Sequence, residues 1–190
     1  MQYIDKVSTQ TLEVKQSKFI AYLLPYSLYT TTLEELKQTN PKARHFVVAY
    51  RFLNEFNQVV EHSSDDGEPK GTSGRPSLMV LQGNDMINTA VIVVRYFGGT
   101  KLGTGGLVRA YSDAVNLVLT SALSIEYKTE ITKDIAIEYS HLRKIDYECE
   151  ACEIEILNKV FESQIVYKIK ASESNMRIFL DKVTRMVEVI

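Results

Sequence analysis

The side chains that could do chemistry are concentrated between Glu61 and Arg109. His62, Asp65, Asp66 and Glu68 lie close together, with Ser64 and Ser73 as neighbouring hydroxyls. Carboxylates and imidazole are ligands a divalent cation accepts, and serine beside histidine offers a nucleophile with a base. Adjacent carboxylates need not converge, however. His45 and His141 are isolated, so no second histidine cluster completes a zinc-enzyme spacing, and no G-x-S-x-G elbow occurs. The expectation is structural: these carboxylates cap amides of their own turn and pair with Arg75, Arg95 or Arg109.

A second tract, Arg95-Tyr96-Phe97-Gly98-Gly99-Thr100-Lys101-Leu102-Gly103-Thr104-Gly105-Gly106-Leu107-Val108-Arg109, holds five of the nine glycines. Glycine serves where the backbone takes positive φ or another group comes close. An apolar run, Ala90 to Val94, precedes the tract and an amphipathic stretch from Leu107 to Leu119 follows it. That order is strand, loop, helix, and amides at a helix start can receive an anion. The tract is not a P-loop, nor does it match G-x-G-x-x-G. Candidate anion- or RNA-binding residues are Arg95, Tyr96, Gly98, Gly99, Lys101, Gly103, Gly105, Gly106 and Arg109. His62, Asp65, Asp66, Glu68, Gly71, Gly74 and Arg75 form the supporting loop. The competing reading gives the glycines to a tight crossing of strand and helix, with Arg109 paired to the acidic loop. Opposite charge in the two loops predicts that they are neighbours in space.

Composition narrows the partners. Hydrophobic residues at 45% and charged residues at 24% fit a globular chain with no membrane-spanning run. The start lacks the basic and apolar regions of a signal peptide, so a cytoplasmic location is expected. Net charge is −2, which argues against broad nucleic-acid binding through a basic face; no DNA specificity is inferred. An anionic partner would bind locally, where Lys70, Arg75, Arg95, Lys101 and Arg109 cluster. Cys149 and Cys152 form a C-x-x-C late in a predicted helix, which reads as buried free thiols. No cofactor or metal is expected.

The elements that position these residues follow from pattern. Ser8 to Leu24 reads as one or two strands, Ser27 to Gln38 as a helix stopped by Pro41, and 46–50 with 58–62 as a hairpin. Residues 63–76 read as a structured loop outside regular structure, with Pro76 as the first helical residue of a short helix to about Gln82. Strand 90–96 and helix 107–120 complete a first domain, 1–127. The remainder, 128–190, reads as strand 131–139, helix 141–152, strands 154–157 and 164–171, a helix from Ser174 as N-cap to about Arg185, and strand 187–190. That is a βαββαβ order, the ferredoxin-like one.

Asp65-Asp66-Gly67-Glu68-Pro69-Lys70-Gly71-Thr72-Ser73-Gly74-Arg75-Pro76, with Val94 to Gly99 and Leu102 to Tyr111, resembles the IMPACT/YigZ family. The resemblance implies an α+β protein. Its first domain would be like ribosomal protein S5 domain 2 and its second ferredoxin-like, the pair being similar to the fourth and fifth domains of elongation factor G. It also implies a role in translation, with RNA or the ribosome as partner. The expectation is a translation-associated regulatory protein that binds RNA or a ribosomal surface through the glycine tract. One alternative is an enzyme acting on a phosphorylated or nucleotide-like small molecule, with Asp66 or Glu68 holding a metal or acting as base. The other is a protein-interaction module.

Overall fold

The apolar run ahead of the glycines lies at the centre of a sheet. In the computed structural model, which describes residues 1–190, the chain divides into units Met1–Tyr127 and Lys128–Ile190. The first unit runs β1 (Gln2–Tyr3), β2 (Ser8–Val14), β3 (Ser17–Pro25), α1 (Tyr29–Thr39), β4 (His45–Leu53) and β5 (Val59–Ser64). It continues with α2 (Gly74–Gly83), β6 (Thr89–Tyr96), α3 (Gly103–Ser121) and β7 (Ile125–Glu126). Five strands pair antiparallel in the order β2-β3-β6-β4-β5, and β1 pairs with β7.

Both faces of this sheet are covered, which is why β6 reads as a continuous apolar run rather than an alternation. Phe19, Ala21, Leu23, Val47, Ala49, Val91 and Val93 pack with α2 and α3. Residues of the opposite parity, Leu24, Val48, Ala90, Ile92 and Val94, meet Leu36 and Leu33 of α1. Arg95 shares the parity of Val91 and Val93; Tyr96 shares that of Ile92 and Val94. A strand therefore sends these two neighbours to opposite faces.

The second unit runs β8 (Glu130–Ile137), α4 (Leu142–Ala151), β9 (Glu155–Phe161), β10 (Ile165–Ser172), α5 (Glu173–Val183) and β11 (Val187–Val189). Its antiparallel sheet has the order β11-β8-β10-β9. Ile135, Ile145, Cys149, Tyr167 and Phe179 anchor its core. Cys149 and Cys152 are free and buried, and burial, followed by the Asp146 charge, pushes the Cys149 thiol up to about 12.

Several expected boundaries shift. Helix α3 starts at Gly103 rather than Leu107, so three of the tract's glycines are helical. Ser63 and Ser64 extend β5, and α2 begins at Gly74, making Pro76 its third residue. The cap of α5 is Ser172, whose hydroxyl accepts from the Asn175 amide, rather than Ser174. Each competing residue is a serine; β10 runs on to Ser172 and α5 begins directly after it at Glu173, so the first of the two serines takes the cap. No helix is long and apolar enough to cross a membrane.

Candidate functional site

Asp65 shapes the acidic loop. Its Oδ1 accepts from the Ser73 amide at 3.1 Å, the Ser73 hydroxyl at 2.7 Å and the Gly74 amide at 2.8 Å, while Oδ2 accepts from the Gly71 amide at 2.7 Å. The chain thus supplies its own anion to the start of α2, satisfying amides the helix leaves open. Burial by itself would raise this carboxyl, but the bonds from Gly71, Ser73 and Gly74 outweigh it and hold it below the usual range. A depressed folded value makes the contribution present above the unfolded value and lost as pH falls through the folded one. Asp65→Asn is expected to be about 1–2 kcal/mol less stable than wild type at neutral pH, with the gap closing below about pH 4. Denaturant melts of both proteins at the two pH values check this.

Asp66 and Glu68 are spent differently. Asp66 Oδ2 accepts from the Phe46 amide at 2.6 Å, and its carbonyl faces His45 Nδ1 at 2.8 Å, so it pins the loop to β4. Glu68 points inward and its side chain is 3% exposed. Its Oε1 receives Arg95 Nη1 and the Tyr111 hydroxyl, the latter at 2.8 Å, while Oε2 lies 3.9 Å from His45 Nε2. The Tyr111 hydroxyl is held far above its ordinary range by burial and then by the Glu68 charge, so it stays protonated and donates. A buried ion pair is worth little unless its remaining lone pairs are met; Tyr111 meets one here. Both carboxylates thus hold contacts within the fold, and no group of three His, Cys, Asp or Glu side chains is placed to hold a metal ion.

The two loops do meet, through Glu68 and Arg95. Other candidates separate. Arg95 is 5% exposed, so it does not stand on the surface beside Lys101 and Arg109 as the sequence suggested. Tyr96, the base-stacking candidate, faces the α1 side and donates its hydroxyl to Asn40 Oδ1 at 2.7 Å. His62 pairs with Tyr50 across β5 and β4 and packs on its ring, apart from Glu68. Two network members were missed. Tyr111 shares the helical face of Leu107, Ala110 and Ala114, which would place its hydroxyl inside and in need of a partner. His45 pairs with Arg95 across β4 and β6, a register that sequence does not disclose.

The glycine tract also divides. A Cβ on Gly98 would lie 2.0 Å from the Gln16 carbonyl carbon and 2.2 Å from the Ser17 nitrogen, and its amide donates to Ser17 Oγ. Gly98 therefore serves close packing on the β2–β3 turn. Gly99, Gly103 and Gly105 have open space where a Cβ would be. Gly99, Thr100, Lys101, Gly103, Thr104, Gly105 and Arg109 are all exposed. Helix α3 has no side-chain cap and no acidic residue in its first turn, whereas the start of α2 is met by Asp65 from the preceding loop. Arg75 and Lys70 are exposed on the neighbouring loop.

The family model of the Impact N-terminal domain matches residues 15–119. A Haemophilus influenzae protein described as an IMPACT family member is 37% identical over 180 residues, covering 90% of this chain and 85% of its own length. The Escherichia coli IMPACT family member YigZ is 33% identical over 174 residues, with the same coverage of 90% and 85%. Among solved structures, one described as that of a hypothetical protein aligns with a TM-score of 0.66 at 28% identity, over 100% of this chain and 95% of that one.

Proposed function

The chain belongs to the IMPACT family, and from that premise we propose that it acts in translation by binding a structured RNA or ribosomal surface. The observation that carries this reading is the exposed, uncapped start of α3 with Lys101 and Arg109 beside it. Amides of a first helical turn and the helix dipole favour an anion there, equivalent to roughly half a positive charge. Arg109 follows Gly105 by four residues, and helical side chains lean toward the N-terminus, so its guanidinium extends over a position without a side chain. Phosphates can approach the backbone closely at that face. The loop of 65–75 forms its edge. We assign the two units to the S5 domain 2-like and ferredoxin-like folds; the βαββαβ order and the strand order β11-β8-β10-β9 support the second. In this reading the second unit orients or regulates the binding face.

Lys101→Ala/Arg109→Ala is expected to melt like wild type and to bind a hairpin RNA at least about tenfold more weakly. Its dependence of log affinity on log salt should be shallower by about 1.5, for two lost phosphate contacts. Filter binding between 50 and 200 mM salt (roughly the range over which such contacts fade), with ribosome co-sedimentation alongside, measures both. Unchanged affinity in a folded variant sinks the proposed face. Ribosome binding without salt dependence would instead favour recognition of the loop by protein.

A further inference from the structure

We propose that Arg95 is a buried oxyanion-binding position, where the Nε–Nη2 edge of its guanidinium, beneath Phe97, takes two oxygens of a phosphate group. The inference goes beyond the RNA reading, because its anchor is an interior side chain rather than the exposed Lys101 and Arg109. Arg95 is 5% exposed and its Nε is buried with no hydrogen-bond partner. The side-chain hydrogen bond it does make, to Glu68 Oε1, is donated by Nη1. A guanidinium carries five N–H donors in one plane, and Nε with Nη2 forms the edge that matches two oxygens of one anion. Glu68 occupies the other side and leaves that edge free.

The neighbouring rings do not use it either. Arg95 Cζ lies 5.3 Å from the Phe19 ring centroid and 5.8 Å from that of Phe97. A ring attracts the guanidinium through its face and offers no lone pair to donors in the guanidinium plane. Phe97 is itself 46% exposed, so one of the two rings beside the guanidinium reaches the surface. In the segment that follows Phe97, the amides of Gly99, Thr100, Lys101 and Leu102 donate to no backbone or side-chain acceptor, whereas that of Gly98 is taken by Ser17. A planar carboxylate would spend both oxygens on the arginine. A tetrahedral phosphate keeps oxygens for those amides, which selects phosphate as the ligand chemistry.

Inorganic phosphate titrated at constant ionic strength is the probe, read by the proton–nitrogen NMR signals of Arg95 Nε and the Gly99–Leu102 amides. All should shift together on one saturating curve, and acetate should leave them in place. Arg95→Lys keeps the charge beside Glu68 but lacks the two-donor edge, and should weaken phosphate at least about tenfold. Phe97→Ala should retain the phosphate and speed its exchange. Lys101→Ala/Arg109→Ala should keep the phosphate response even where RNA binding is gone, so the two readings fail separately. A hairpin RNA that reproduces the Arg95 Nε shift identifies a phosphodiester as the source; a shift with phosphate alone identifies the free anion. A silent Nε signal overturns the proposal, as does an equal acetate response. So does a folded Arg95→Lys protein that binds like wild type; should that variant not fold, the wild-type Nε signal decides.

Discussion

Glu68→Ala is expected to destabilise the first unit by about 3–5 kcal/mol, because it leaves the Arg95 guanidinium buried without its carboxylate. Arg95 would then have no side-chain acceptor, and the Tyr111 hydroxyl, also buried, would lose its own. Domains hold only about 5–15 kcal/mol in total, so the variant should sit near the edge of folding. Tyr111→Phe removes one bond to a charged group and should cost about 1.5–3 kcal/mol. The two losses should not add, since the substitutions share one contact. Urea titrations of the two single variants and the double variant give the coupling. A Glu68→Ala loss below about 1 kcal/mol would show that the pair does not hold the unit together.

Gly98→Ala is the second large effect. The added methyl would overlap Gln16 and Ser17 backbone at 2.0–2.3 Å, atoms that belong to a two-residue hairpin turn and not to a flexible side chain. Lys15 and Gln16 take φ of 45° and 65°, the conformation a tight primed turn requires, so the turn has little freedom to retreat. Overpacking of this kind costs typically about 1–3 kcal/mol and more when backbone must move; the expected loss is at the upper end, about 3 kcal/mol. Gly105→Ala, in the same tract, is the matched contrast. Its site is open and helical, so stability should stay level or rise by up to about 1 kcal/mol. Denaturation midpoints at unchanged slope separate the two. Equal losses at both positions would contradict the division of the tract into packing and exposed halves.

The sheet strands were legible because burial leaves a direct trace: Ala90 to Val94 is apolar throughout, and β3 alternates. The start of α3 was hidden, since glycine has low helix propensity and three glycines in the first turn resemble a loop. Strands β1 and β7 are two residues each, too short to carry a period. At the site, complementary charge revealed that the loops meet, through Glu68 and Arg95. Which arginine turns inward depends on facing. Arg95 follows Val91 and Val93 by steps of two, whereas Arg109 lies off the buried stripe of Leu107, Ala110, Tyr111 and Ala114. His62 looked like the histidine of the acidic loop because it is near in sequence. His45, twenty residues before Asp65, occupies that place because β4 lies between β6 and β5.

The pairing of His45 with Arg95 also proofreads the assembly of the sheet. A slip of one residue between β4 and β6 would turn Arg95 toward the face that now holds Tyr96 and strand Glu68 among apolar groups. Val91, Val93, Ile92 and Val94 are alike enough that packing alone would tolerate such an error. The single charge among them discriminates: only one alignment brings carboxylate, guanidinium and phenol together, and every offset alignment leaves at least one of them orphaned.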